Sequence, residues 1–165
     1  MPVKGIAQPE YLPIDDTLRL RRFDGKYEFA LAWYQDAETV RLVDGIAEPY
    51  DMDKLGRMYR YLDARGELYF IELFRGGAFS PVGDVTFWQE DCPIVIGDPD
   101  LRGHGVGRRV IAALIGRGKE LGYGDLRVNE IYDFNTASQR LFTGLGFEKY
   151  EKTEKGWRYR LPLKP

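Results

Sequence analysis

Three glycines at alternate positions, Gly103, Gly105 and Gly107, stand between a short β-branched run, Ile94-Val95-Ile96, and an apolar repeat at Val106, Val110, Ile111, Leu114 and Leu121. The repeat has helical spacing, so Pro93 to Leu121 reads as strand, glycine-rich turn, helix. Such a turn aims the unpaired N–H groups of a helix start at whatever lies in the loop. Together with the helix dipole they favour an anion, usually a phosphate. Arg102, Arg108 and Arg109 add positive charge at the same end. The chemistry to expect is the gripping of a diphosphate. A Walker loop needs Gly, four residues, then Gly-Lys-Ser/Thr, and the chain has no such run. The dinucleotide frame Gly-x-Gly-x-x-Gly also fails: Gly103-x-Gly105 meets Gly107 two residues on, and Gly105-x-Gly107 meets Val110 three on.

The frame that fits is Arg-x-x-Gly-x-Gly, spelled Arg102-Gly103-His104-Gly105-Val106-Gly107. It resembles the acetyl-CoA pyrophosphate loop of the GNAT superfamily of N-acyltransferases, where a proline often stands three residues before the arginine, as Pro99 does here. A second segment, Asn135-Thr136-Ala137-Ser138 through Phe142 to Gly146-Phe147, resembles that family's Asn-x-x-Ala/Ser, short helix and Gly-Phe. The resemblance implies acetyl-CoA as cofactor. It places the phosphates on Arg102, Gly103, His104, Gly105, Val106, Gly107 and Arg108, and the pantetheine arm near Asn135, Ser138 and Phe142. Asn135 is at the same time the expected helix N-cap. GNAT folds splay the fourth and fifth strands, and the pantetheine pairs with the fourth, here Ile94, Val95, Ile96 and Gly97. Many members have valine where Gly97 stands; glycine allows close backbone approach or a bulge.

Acetyl transfer from a thioester to an amine sets four demands. The amine must lose a proton, since its pKa is about 10 if lysine-like. The carbonyl carbon must be held beside the nitrogen. The developing oxyanion needs donors, which backbone N–H groups can supply. The leaving thiolate can take a proton, although a thiol pKa near about 8.5 makes this the least demanding step. The resemblance points to Glu130 as the base, five residues before Asn135, a position that carries a catalytic glutamate in some ribosomal-protein N-acetyltransferases. Asp84 is the second candidate, on a strand that borders the usual acceptor site. Many members place a tyrosine seven residues after the asparagine, where this chain has Phe142, which cannot donate a proton. Tyr132 is the nearest tyrosine in sequence able to replace it, and otherwise the thiolate leaves unassisted. His104, the only histidine, fills a variable slot of the loop, and Cys92 reads as an inert thiol. No Cys/His cluster has metal spacing, so no metal is expected.

The elements that position these residues follow from periodicity. Leu18 to Phe23 alternates apolar and charged residues as a half-buried strand does, preceded by an extended arm over 1–16. A short helix is expected from Tyr27 to Tyr34 and a second from Met52 to Ala64. Strands follow at Glu67–Phe74, Pro81–Trp88 and Cys92–Gly97, then the helix after the glycine loop. A strand over Asp125–Tyr132, a helix over Thr136–Leu145 and a hairpin of Phe147–Tyr150 with Trp157–Leu161 complete the chain. This is an α/β (α+β) order, and three consecutive strands favour a mixed sheet over a doubly wound one. The GNAT resemblance covers about 18–161. It implies one N-acetyltransferase domain over 1–165: a mixed, mostly antiparallel sheet of about seven strands, four helices, and a splay between strands 4 and 5.

Asp36 to Asp53 is the least regular stretch and holds six acidic residues against Arg41 alone. With Trp33, Tyr34, Tyr50 and Asp84 it suits an amine whose charge is held by carboxylates and whose aliphatic part is covered by rings. A polyamine, an aminoglycoside or a basic peptide N-terminus meets that description. A non-catalytic acyl-CoA-binding module on the same fold, which the Phe142 departure favours, and a nucleotide binder, which the failed frames disfavour, are the competing classes. At 165 residues the chain suits one core, and a net charge of −2 argues against nucleic acid. No apolar run approaches the roughly 20 residues that span a bilayer, and the N-terminus lacks the apolar core of a signal peptide. One cysteine permits no internal disulfide. Cytoplasm is the expected compartment, and the resemblance adds the expectation of a homodimer.

Overall fold

The computed structural model describes residues 5–163. Alternation builds the first sheet. In β2 (Leu18–Arg22) the two leucines are fully buried while Arg19 and Arg21 turn to the other face and bond Glu72, each at 2.8 Å. β1 (Tyr11–Pro13), within the stretch expected only to be an extended arm, pairs with β2. β3 (Glu67–Arg75) and β4 (Ala78–Phe87) form a hairpin across Gly76 and Gly77, both at positive φ. β5 (Ile94–Ile96) closes the sheet, whose order is β1-β2-β3-β4-β5. β6 (Asp125–Tyr132), β7 (Glu148–Lys152) and β8 (Gly156–Pro162) form a second sheet of order β6-β8-β7. Every pairing is antiparallel.

Helices cover both faces of the first sheet. The helix after the glycine loop, α3 (Val106–Glu120), packs Val106, Val110, Ile111 and Leu114 with Leu18, Leu20, Ile71 and Val85 in one core, which also takes Leu126, Val128, Ile131 and Phe142. The opposite face carries a 3₁₀ helix (Glu28–Gln35), α1 (Ala37–Asp44) and α2 (Met52–Arg65), with Tyr34, Val40, Leu55 and Tyr59 packed on Leu68 and Phe70. The segment expected to be a helix at 27–34 is thus a tighter 3₁₀ turn. The stretch expected to be irregular contains α1. Its signals were the caps: Asp36 accepts the N–H of Thr39, and Gly45 ends the helix at φ 82°. Its acidic composition, with only two residues buried, hid them. The last helix is α4 (Thr136–Gly144).

Among the described residues no backbone pairing joins β5 to β6. The two sheets meet only beside the start of both strands, where Arg127 N–H donates to Gln89 C=O at 2.9 Å and Asn129 N–H donates to Asp91 Oδ1 at 3.0 Å. Beyond that tie the strands part, so the sheet is split at the expected place.

Candidate active site

The register of β4 on β5 decides which main-chain groups face the split. Gly83 opposes Ile96, Asp84 opposes Val95 and Val85 opposes Ile94. Gly97 N–H donates to Val82 C=O at 2.8 Å, and Thr86 N–H donates to Pro93 C=O at 3.0 Å. In an antiparallel ladder hydrogen-bonded pairs alternate with unbonded ones. Val95 therefore spends its backbone on Asp84, while the N–H and C=O groups of Ile94 and Ile96 face the gap. Of the four strand residues expected to pair with a ligand, Ile94 presents free backbone and Ile96 a free N–H, its C=O being taken by Arg102. Val95 and Gly97 bond to β4 instead. Gly97 is glycine because a Cβ there would strike the Trp33 indole, so its close approach serves packing from the α1 side.

The loop after β5 is drawn tight by its own bonds. Asp98 Oδ1 accepts the N–H of Asp100 at 3.0 Å, and His104 N–H reaches Leu101 C=O at 3.3 Å. Gly103 (φ 77°) and Gly105 (φ 82°) lie in the left-handed region, where a side chain is strained. No heavy atom lies within 4 Å of where their Cβ atoms would be. The first bond of α3 runs from Arg109 N–H to Gly105 C=O. The N–H groups of Gly103, Gly105, Val106, Gly107 and Arg108 therefore have no acceptor among the described residues. Five bare donors around an open, left-handed turn fit a diphosphate. Gly107 has a different task, since its Cβ would sit 3.4 Å from Leu141 of α4.

The arginines at this end are spent inside the protein. The Arg102 guanidinium donates to Thr39 Oγ1 and, at 3.4 Å, to Ile96 C=O, and lies 3.6 Å from Asp36. It braces the loop to the start of α1 and is not directed at the turn as the sequence suggested. Arg108 bonds the C=O of Gly144 at 3.2 Å, and Arg109 pairs with Asp15 at 2.5 Å. His104 is exposed. On α4, Asn135 is the N-cap, accepting Ser138 N–H at 3.1 Å, and Ser138 is half-buried. Phe142, expected near the pantetheine arm, has its ring buried against Phe147, with centroids 5.1 Å apart, and packs in the core.

Across the sheet, side chains define the other bank. Asp84 is buried, and its Oδ2 accepts the hydroxyls of Tyr34 at 2.7 Å and Tyr59 at 2.8 Å. Its Oδ1 takes no hydrogen bond from the described residues. Burial pushes the Asp84 carboxyl up to about 6, against the two hydroxyls, which lower it. Burial likewise raises the Tyr34 and Tyr59 phenols well above their ordinary range, and the neighbouring carboxylate reinforces it. Tyr50 packs on Tyr34 with centroids 5.0 Å apart and donates to Asp44 at 3.1 Å. Trp33 is half-buried over Gly97, so of the residues expected to meet the substrate, Trp33, Tyr34, Tyr50 and Asp84 do share one face. Sequence reasoning missed Tyr59 as a functional neighbour. Its only signal was the helical spacing of an apolar face, which says nothing of where the hydroxyl ends.

Glu130 lies at a bulge of β6, where the register slips between Val128 and Ile131. Ile131 turns into the α3 core, Tyr132 lies on the α1 side, and the charge of Glu130 is felt at the Tyr132 phenol. Glu130 is exposed and takes no hydrogen bond among the described residues. Tyr132 stacks on Phe134 with centroids 5.2 Å apart and lies beside Gly45 at the end of α1. Burial raises its phenol, aided by the nearby charges of Glu130 and Asp44. Cys92 is buried, and burial pushes its thiol up, consistent with an inert role.

A split sheet with a bare-donor loop at one end and a carboxylate-bearing face at the other is the architecture of an acyltransferase. The chain belongs to the acetyltransferase (GNAT) family, whose model matches residues 27–147. Among solved structures, a domain from Methanocaldococcus jannaschii is similar at 24% identity and TM-score 0.76, covering 89% of this chain and 99% of that one. A GNAT acetyltransferase from Bacillus anthracis matches at 16% identity and TM-score 0.73, covering 93% and 98%. A putative acetyltransferase from Salmonella typhimurium, solved with acetyl-CoA, matches at 17% identity and TM-score 0.61, covering 90% and 95%. These likenesses establish the fold. No curated protein matches the chain. No helix of the described residues is long and apolar enough to cross a membrane.

Proposed function

We propose that the protein transfers the acetyl group of acetyl-CoA to a primary amine on a small polycationic acceptor, such as a polyamine or an aminoglycoside. The observation that carries this reading is the free edge of β5. Both backbone groups of Ile94 and the N–H of Ile96 are free toward the gap, in line with the bare N–H groups of 103 and 105–108. A coenzyme with a diphosphate at one end and an amide-bearing arm fits that sequence of donors and acceptors. When bound it supplies an activated acetyl carbon on sulfur. The amine nitrogen bonds that carbon as the carbon–sulfur bond breaks.

The chain's own groups divide the rest of the work. Glu130, exposed on the acceptor-facing side of the bulge, takes the ammonium proton directly or through one water. The N–H groups on the free edge of β5 stabilise charge developing on the carbonyl oxygen. Half-exposed Asp44 and Trp33 form the acidic, ring-lined wall that receives the amine, backed by the buried Asp84, Tyr34 and Tyr50. Phe142 is sealed in the core and Tyr132 is stacked at the end of α1, so the thiolate leaves without a dedicated acid. A thiol pKa of about 8.5 makes that departure feasible.

The test is thiol release from acetyl-CoA by purified protein against polyamine, aminoglycoside, amino-acid and peptide amines. Amine-dependent release with a polycation is expected. Tight acetyl-CoA binding with no release for any amine would replace the enzyme by a binding module, and absence of acetyl-CoA binding would remove the reading entirely.

A further inference from the structure

A groove of about 350 Å³ opens where the end of α2 faces the β4–β5 connection, away from the glycine loop. Its size lies within the range of small-molecule sites, about 300–1,000 Å³. Tyr61 and Leu62 of α2 and Trp88 and Pro93 supply apolar walls, Glu90 and Asp91 supply carboxylates, and Asn129 of the β6 bulge closes one side. The Trp88 wall is fixed by packing, since a Cβ on Gly66 would strike its ring. Asp91 is fixed too: its Oδ1 accepts the N–H groups of Cys92 and Asn129 at 2.9 and 3.0 Å.

The unpaired charge of the lining calls for a cationic guest. Neither Glu90 nor Asp91 forms an ion pair among the described residues. The one cation in the lining, Arg65, lies 4.2 Å over the Tyr61 ring. Arg127, whose charge feels Glu90, is bonded to Asp125 at 3.1 Å. Thr86, outside the lining, lies on the same face of β4 as Trp88 and is paired through its N–H with Pro93. Its hydroxyl is fully buried with no partner among the described residues. Two residues further along the same face lies Asp84.

We propose that this groove is the subsite for the distal cationic arm of the amine acceptor: a second ammonium on a short aliphatic chain, its charge taken by Glu90 and Asp91 and its methylenes covered by Trp88 and Tyr61. The subsite rests on the acetyl-transfer reading and says where the rest of a polycation lies. Asn129 adjoins Glu130, so an arm seated here keeps the acceptor beside the base. An aromatic wall beside carboxylates held in no ion pair is the pairing that favours an alkylammonium over an anion or a neutral chain.

The experiment titrates the intact protein with spermidine and, separately, with propylamine. The readout is the Trp88 indole N–H resonance, assigned through Trp88→Phe, with acetyl-CoA affinity measured by calorimetry on the same samples. Spermidine is expected to shift the Trp88 and Asn129 signals saturably, and propylamine is not. Glu90→Lys, at an exposed position, should weaken spermidine binding about fivefold or more. A Trp88 signal unmoved by spermidine, or equal spermidine affinity in Glu90→Lys, overturns the subsite. Either result with acetyl-CoA binding intact leaves the acetyl-transfer reading standing; loss of acetyl-CoA binding in the unaltered protein removes that reading itself.

Discussion

On the loop side of the gap, the polar groups left without partners among the described residues are main-chain ones: the N–H groups of 103 and 105–108, the backbone of Ile94 and the N–H of Ile96. On the α1–α2 side the polar groups are side chains: the buried Asp84 carboxylate with the hydroxyls of Tyr34 and Tyr59, the Tyr50 hydroxyl on Asp44, and the exposed Glu130 carboxylate. The first kind of site depends on where the chain can turn, and glycine alone permits the turn. The second depends on which side chains tertiary packing brings together. One bank can thus hold a common coenzyme with little side-chain identity, while the other is free to select the amine.

Substitutions sharpen the contrast, and the greatest effect is expected on the side-chain bank. Glu130→Gln preserves shape and removes the base. Turnover should fall by about a hundredfold or more, the range for loss of a general base, with acetyl-CoA affinity unchanged by calorimetry. An unaltered rate would transfer the role to Asp84.

Asp84→Asn tests the same bank through stability. The folded carboxyl stands at about 6, raised by burial, above its ordinary 3.8. The native state therefore holds a proton over that interval that the unfolded chain has released, so this group's contribution is most favourable below about pH 4 and declines as pH rises to about 6. The loss is of the order of 3 kcal/mol by pH 8. Asparagine keeps an acceptor for both tyrosine hydroxyls and carries no charge. Denaturant unfolding should show the variant more stable than the parent at pH 8 and equal to it at pH 4. A variant less stable at pH 8 would mean that the carboxylate is solvated or paired in the native state.

The main-chain bank responds to backbone strain. Gly105→Val places a β-branched residue at φ 82°, a conformation that costs about 1–2 kcal/mol. The turn should relax away from it, weakening acetyl-CoA about tenfold while leaving the amine bank intact. Gly116→Ala, in α3 with open space at its Cβ, is the control expected to leave affinity unchanged.

This contrast also explains what could be read in the chain. The split beside β5 was expected only from the family resemblance, whereas the glycine turn and the helix after it were legible because Gly103 and Gly105 are local necessities, visible as letters. The ladder parity that frees Ile94 and Ile96 but not Val95 was not, since it depends on pairing with β4 across the hairpin. Nor was α1, whose acidic, half-exposed sequence lacks a broad apolar stripe and shows only its caps, Asp36 and Gly45. Asp84 was legible as a charge on a strand; that Tyr34 and Tyr59 converge on one of its oxygens requires two helices 25 residues apart in the chain to dock on one sheet face.

The smallest effect falls where the banks touch. Arg102 belongs to the loop by sequence and to α1 by contact, through Asp36, Thr39 and the C=O of Ile96. Were its guanidinium a phosphate ligand, Arg102→Ala would remove a charged hydrogen bond of about 1.5–3 kcal/mol and weaken acetyl-CoA more than tenfold. As an internal brace, half-exposed, it should instead lower thermal stability by about 1 kcal/mol or less and change acetyl-CoA affinity by no more than about twofold. Arg102→Lys discriminates further. Lysine keeps the positive charge that a diphosphate would value but lacks the planar fork that spans three acceptors. Parent-like coenzyme affinity in both variants, with lysine no better than alanine at restoring stability, is the outcome that ties Arg102 to α1.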